Sequence, residues 1–87
     1  MSNQIEIENI IKQVWLDVLQ VTDVEKDKPF FDVGGNSLLL MKVFLRLDQL
    51  YHGIIKIKDL FNYVTIQQLA SFIYKHITEN VFVKEEN

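Results

Sequence analysis

The chain has 87 residues, no cysteine and 48% apolar residues, which fits a single folded domain and is too apolar for a disordered chain. The missing cysteines exclude disulfides and thiolate metal sites, and the net charge of -3 with scattered basic residues argues against a nucleic-acid partner. The longest apolar run (38–41) is too short to span a membrane, and the N-terminus lacks a signal-peptide pattern, so we expect a cytoplasmic protein.

The first predicted helix covers about residues 5–19. One buried face is indicated by apolar residues at helical spacing, namely Ile7, Ile10, Ile11, Val14 and Val18, widened by Trp15 and Leu19. The opposite, solvated side is predicted to carry Glu6, Glu8, Lys12, Gln13 and Asp17.

About sixteen residues without clear periodicity follow this helix and include Pro29 and two glycines. A connection of that length in a small domain is usually either functional or disordered. Phe30 and Phe31 favour an ordered loop, because two aromatic side chains can pin it to the core. The loop ends on Ser37.

The second predicted helix runs from about Ser37 to Tyr51, and His52-Gly53 supplies a stop. At 100° per residue, a core face is predicted for Leu40, Val43, Phe44, Leu47, Leu50 and Tyr51. A second apolar stripe lies almost opposite and, with its flanking lysine, forms a predicted partner surface of Leu38, Met41, Lys42 and Leu45. The alternative is a helix buried on all sides, which is hard to arrange in so small a bundle.

A short third helix is predicted near residues 57–62, and a fourth from Ile66 to about Thr78, with Thr65 and Gln68 as a capping box. The fourth helix contributes core residues Ile66, Leu69, Ala70, Ile73 and Ile77. The predicted fold is therefore an all-α four-helix bundle with a long first loop. We assign residues 1–79 to the domain and 80–87 to a C-terminal tail or linker stub.

Ser37 lies behind two glycines at the start of the second helix, in the segment Asp32-Val33-Gly34-Gly35-Asn36-Ser37-Leu38. A nucleophilic serine needs a nearby base, and the chain has only two histidines, His52 and His76, with no evident triad. Leu39 breaks the nucleophile-elbow pattern, and Asn36 occupies the lysine position of a P-loop. Ser37 is thus either a plain helix cap or a residue that another enzyme modifies.

The segment 30–38 resembles the signature of thiolation domains, the peptidyl carrier proteins of nonribosomal peptide synthetases. Segments 57–61 and 65–70 resemble the third helix and the start of the fourth helix in that family, so the likeness covers about residues 10–77. Val33 and Val64 depart from the common leucine and proline but stay apolar.

This resemblance implies that Ser37 is esterified by 4'-phosphopantetheine from coenzyme A, with Gly34, Gly35 and Asn36 as the flanking motif. Asn36 can cap the helix while Ser37 stays exposed. The phosphodiester would then lie at the positive end of the helix dipole. The two glycines would let a modifying enzyme close over the hydroxyl, although a simple turn also explains them.

The implied function is a non-catalytic, metal-free, monomeric carrier that holds aminoacyl or peptidyl groups as thioesters. Its implied partners are a phosphopantetheinyl transferase, an adenylation domain, and a condensation, tailoring or thioesterase domain. The main alternative is an acyl or ketide carrier of a polyketide or hybrid assembly line. Fatty-acid carriers line their second helix with carboxylates, whereas this helix has Lys42, Arg46 and a single acid, Asp48. A helical interaction module without a cofactor is a further alternative, and the missing base disfavours a hydrolase.

Overall fold

The computed structural model describes residues 3–86, with side chains described for residues 3–79. This part of the chain contains helices α1 (Gln4–Leu19), α2 (Ser37–Leu50), α3 (Ile57–Asn62) and α4 (Ile66–Glu86), and a short 3-10 turn at Phe30–Asp32. The described residues contain no strand, which confirms the predicted all-α bundle with a long first loop and a short third helix. None of these helices is both long enough and apolar enough to cross a membrane.

The core forms where α1 packs against α4 and α2. On α1 the predicted face is confirmed, with Ile7, Ile11, Val14 and Trp15 buried and Ile10, Val18 and Leu19 partly buried against them. The other helices and the loop contribute Val24, Phe30, Leu40, Val43, Leu47, Ile55, Leu60, Ile66, Leu69, Ala70 and Ile73. Removing this apolar surface from water is the main stabilising contribution to a domain of this size.

Glu8 corrects the predicted solvated side of α1. Its residue surface is only 7% exposed, because the first loop brings the Lys26 ammonium over it, 3.0 Å from Glu8 Oε1. The Gln4 side-chain amide also donates to Glu8, at 3.4 Å. A buried carboxylate needs such partners, since an unpaired buried charge is strongly destabilising.

Leu50 corrects the predicted core face of α2. It is 58% exposed, whereas Leu40, Val43 and Leu47 are buried. Leu50 is the last residue of α2 and lies at the edge of the apolar face, beyond the point where the neighbouring helices cover it. The predicted stop is confirmed, because the helix ends there and Gly53 adopts a positive φ of 74°.

The end of α4 was predicted wrongly, since the helix continues past Thr78 to Glu86. Its start is confirmed by Thr65 Oγ1, which accepts the Gln68 amide hydrogen at 3.0 Å and so forms the forward half of a capping box. The side chains of residues 80–87 lie outside the described residues. The assignment of 80–87 to a tail or linker therefore stays a prediction.

Candidate functional site

The loop that leads to Ser37 is fastened to the core at Phe30. The Phe30 side chain is fully buried, and its ring meets Trp15 edge-on with 4.9 Å between ring centroids. The backbone N–H of Phe30 donates to the Val64 carbonyl at 2.8 Å, and the Gln67 N–H donates to the Lys26 carbonyl at 3.2 Å. The loop is thus bonded to the junction between α3 and α4, and the prediction of an ordered loop is confirmed.

Phe31 does not enter the core with its neighbour. It is 42% exposed and stacks on Phe61 of α3, with 6.2 Å between ring centroids and 27° between ring planes. Phe61 is itself 45% exposed. The second aromatic of the loop therefore contacts α3 at the surface, a pairing that no spacing in the sequence indicates.

The beginning of the same loop is tied to α1 by charge. Lys12 Nζ lies 2.7 Å from Asp23 Oδ1. The hydrogen bond from Lys12, followed by its charge and by a backbone hydrogen bond from Val24, lowers the pKa of Asp23 below its ordinary value of 3.8. With the Lys26–Glu8 pair, two loop residues are therefore held against α1.

The two glycines before Ser37 have different roles. Gly34 has a φ of +102°, which a side chain rarely adopts, and no atom lies near the place where its Cβ would be. At Gly35 a Cβ would overlap the Phe30 ring and lie 2.7 Å from the Phe30 carbonyl oxygen. Gly34 therefore allows a turn with a positive φ, and the space beside it is open. Gly35, by contrast, is required because the Phe30 side chain and backbone pack closely against it.

Asn36 caps α2 and leaves Ser37 free. The Asn36 Oδ1 atom accepts the Leu39 amide hydrogen at 2.9 Å, as the sequence predicts. Ser37 is the first residue of α2 and is exposed. The first turn of α2 contains no acidic residue, so its unpaired backbone N–H groups and the helix dipole favour a phosphate there. The residues present therefore fit a phosphodiester on the Ser37 oxygen.

The two histidines differ in their surroundings. His52 follows the C-terminal end of α2, whereas Ser37 begins that helix, so the length of the helix, about 20 Å, lies between them. The His76 Nδ1 atom lies 3.0 Å from the Phe72 carbonyl oxygen, and its ring packs on the Phe72 ring with 4.1 Å between centroids. His52 is therefore too far from Ser37 to act as its base.

The stripe opposite the core face of α2 is exposed. Leu38, Met41 and Leu45 are 69%, 40% and 57% exposed, and Lys42 beside them is exposed as well. These values exclude a helix that is buried on all sides. Three large exposed apolar side chains on one face of a helix are typical of a surface that binds a partner, and this role stays a prediction.

The chain is similar in sequence to known proteins that carry a phosphopantetheine attachment site. Residues 9–73 match the family model described as phosphopantetheine attachment site. Tyrocidine synthase 3 of Brevibacillus parabrevis is 40% identical over 72 residues, which cover 83% of this chain and 1% of that protein. The chain thus corresponds to a very small part of that synthase.

Two solved structures extend the comparison. A peptidyl carrier domain described as a prototype for modular peptide synthetases is 30% identical, with a TM-score of 0.70 and coverage of 83% of this chain and 92% of that one. A peptidyl carrier protein in a complex of the phosphopantetheine transferase Sfp with coenzyme A is 28% identical, with a TM-score of 0.75 and coverage of 86% and 95%.

The chain therefore belongs to the family of phosphopantetheine attachment domains. It is a carrier domain homologous to the thiolation domains of peptide synthetases, and 4'-phosphopantetheine is the cofactor of this family.

Proposed function

We propose that Ser37 of this carrier domain is the residue that receives 4'-phosphopantetheine, and that the domain itself is not a catalyst. The proposal rests on the arrangement at the start of α2, where one residue caps the helix and the next residue is exposed. Asn36 supplies the cap through its 2.9 Å hydrogen bond to Leu39, and the Ser37 hydroxyl is left exposed at the positive end of the helix.

The residues around Ser37 support attachment without taking part in chemistry. The Ser37 oxygen would form the phosphodiester, Gly34 leaves the approach to it open, and Gly35 fixes the loop on Phe30. When attached, the group supplies a thiol, which this cysteine-free chain lacks, for holding cargo as a thioester. A flexible tether of this kind presents one cargo to several enzymes at high effective concentration.

The proposed cargo is an aminoacyl or peptidyl group, and the proposed partners act in sequence on the arm. A phosphopantetheinyl transferase would install it, as the solved complex of a related carrier with Sfp and coenzyme A supports. An adenylation domain would load it, and a condensation, tailoring or thioesterase domain would take the cargo further. We propose the α2 surface of Leu38, Met41, Lys42 and Leu45 as the place where these enzymes bind. That the protein is a monomer and that it is located in the cytoplasm both stay predictions from the sequence.

The attachment step is tested by intact mass after incubation with coenzyme A and the Sfp transferase. Wild-type protein should gain the mass of one phosphopantetheine group, and Ser37→Ala should gain none. Ser71→Ala is the matched control, because Ser71 is an exposed serine on α4 and its loss should leave modification unchanged. Modification of Ser37→Ala, or no modification of any of the three proteins, contradicts the proposal.

The cargo is tested on the modified protein. Aminoacyl and malonyl groups are offered by an adenylation domain and a malonyl transferase, and the thioester formed is identified by mass. Aminoacyl loading with no malonyl loading supports the peptide assignment. The reverse result would assign the domain to a ketide or fatty acyl line.

A further inference from the structure

A groove lies between the C-terminal half of α1 and the exposed face of α2. Its volume is about 400 Å³, and it is lined by Asp17 and Val18 from α1 and by Lys42, Leu45, Arg46 and Gln49 from α2. It adjoins the proposed partner surface of α2, with which it shares Lys42 and Leu45. The groove therefore extends the proposed partner surface sideways onto α1.

The side chains that line this groove carry a net positive charge, because they include two basic groups and one carboxylate. Arg46 Nη2 lies 3.2 Å from Asp17 Oδ2, so these two groups neutralise each other across the groove. Within residues 3–79, by contrast, the Lys42 ammonium is not in an ion pair with any carboxylate. The whole chain carries a net charge of -3, so this groove is a local positive site on an acidic molecule. An acidic group on a partner would be attracted to it and repelled by much of the remaining surface.

An apolar contact is available beside this charge. Leu45 follows Lys42 by three residues, so the two side chains are neighbours on the helix surface. Leu45 is 57% exposed, and Val18 from α1 is partly buried at the edge of the core. A ligand that fits this groove therefore needs one negative group and one apolar group a few ångströms apart.

We propose that this groove binds a segment of a partner enzyme that presents a carboxylate to Lys42 and an aliphatic side chain to Leu45. The proposal deepens the proposed function and rests on it, since it takes α2 as the face where partners bind. It adds the chemistry of the partner: an acidic and apolar segment, held partly by charge. Its test does not involve Ser37, so the two proposals can fail separately.

The test is an NMR titration of the ¹⁵N-labelled, unmodified chain with a short helical peptide. The peptide carries Glu and Leu one helical turn apart, and its matched control carries Gln in place of Glu. With the acidic peptide, amide shifts should cluster at residues 17–20 and 42–49. The Gln peptide should bind more weakly by roughly 1.5- to 5-fold, as expected for one exposed ion pair. Raising the salt concentration should weaken the acidic peptide only.

Variants separate the charge of Lys42 from general charge effects. Lys42→Glu should abolish the preference for the acidic peptide, and Lys42→Arg should keep it. Lys75→Glu makes the same charge change on an exposed lysine of α4 and should also keep it. Thermal unfolding of Lys42→Glu should match wild type, because an exposed side chain contributes little to the core.

Several results would overturn the proposal: no shifts with either peptide, equal binding of both peptides, shifts centred on another surface, or an unchanged preference in Lys42→Glu. Shifts at the groove that depend on protein concentration without peptide would make a second copy of the chain the occupant, and would also overturn it. Modification of the wild-type chain at Ser37 by Sfp, measured separately, shows independently whether the carrier function is intact.

Discussion

Gly35 and Phe30 are in such close contact that a side chain on Gly35 would overlap the Phe30 ring. The Gly35 N–H also donates to the Phe30 carbonyl at 3.0 Å. Since Phe30 is fully buried, this contact joins the backbone just before Ser37 to the hydrophobic core. The position of Ser37, the proposed attachment site, is therefore set by packing as well as by the helix that it begins.

Gly35→Ala tests this contact. The added methyl group must displace the Phe30 ring, and we expect a loss of about 1–3 kcal/mol in the free energy of unfolding, as for overpacked cores. Urea unfolding followed by circular dichroism measures it. The rate of Ser37 modification should fall as well, because the displaced backbone at Gly35 lies only two residues before the serine.

A double-mutant cycle is the control for this prediction. Phe30→Leu removes the ring, so Gly35→Ala should cost less in the Phe30→Leu background than in wild type. Equal costs in both backgrounds would show that the added methyl group clashes with the Phe30 carbonyl oxygen, 2.7 Å away, and not with the ring.

The two faces of α2 should respond differently to substitution. Leu47→Ala truncates a side chain with no exposed surface, so we expect a loss of about 2–5 kcal/mol. Met41→Glu and Leu45→Glu change exposed positions and should stay within about 0.5 kcal/mol of wild type. Thermal and urea unfolding of the three variants measures the difference.

The same α2 variants separate binding from stability. Met41→Glu and Leu45→Glu should slow transfer to or from partner enzymes while the fold stays intact. If Met41→Glu lowers the melting temperature as far as Leu47→Ala does, the exposed face is wrongly assigned, and the partner surface must lie elsewhere.

Asn36→Ala should remove the cap of α2. The Leu39 amide hydrogen would lose its acceptor, and N-cap substitutions of this kind cost about 0.5–2 kcal/mol. Asn36→Ser should restore most of this loss, because serine caps almost as well. A cost for Asn36→Ala no larger than that of an exposed control such as Gln67→Ala would show that another group caps the helix.

The ion pair between Lys12 and Asp23 predicts a pH dependence. The pKa of Asp23 is lowered in the folded protein, chiefly by its hydrogen bond to Lys12, so the unfolded chain binds this proton first as the pH falls. The stabilising contribution is therefore present above the ordinary pKa of 3.8 and is lost as the pH falls through the lower folded value. An NMR titration of the Asp23 carboxyl carbon measures the folded pKa directly.

Lys12→Met is the matched variant for that titration. It keeps an apolar stem and removes the charge, so the pKa of Asp23 should rise towards 3.8. Acid unfolding should also depend less steeply on pH than in wild type. An Asp23 pKa unchanged by Lys12→Met would show that the pair does not form in solution.

Much of this architecture is predictable from local patterns. The spacing of Ile7, Ile11 and Val14 indicates the buried face of α1, and caps at Asn36 and Thr65 mark where α2 and α4 begin. Each of these signals lies close in sequence to the helix face or helix end that it indicates, so it can be identified without the tertiary structure.

The errors come from contacts between distant residues. Glu8 is polar and was predicted on the solvated side, but Lys26, eighteen residues away in an aperiodic loop, covers it. Periodicity cannot indicate that pairing, nor the stacking of Phe31 on Phe61. Leu50 fits the core periodicity of α2 but lies at the last turn, where no neighbouring helix covers it.

Tandem mass spectrometry of the chain after incubation with coenzyme A and Sfp tests the central claim most directly. The chain contains three serines, at positions 2, 37 and 71, so the location of the added group is informative. We predict one phosphopantetheine per chain, located on the peptide that contains Ser37. Localisation to Ser2 or Ser71, or an added mass that is lost on denaturation, would contradict the assignment of Ser37 as the attachment site.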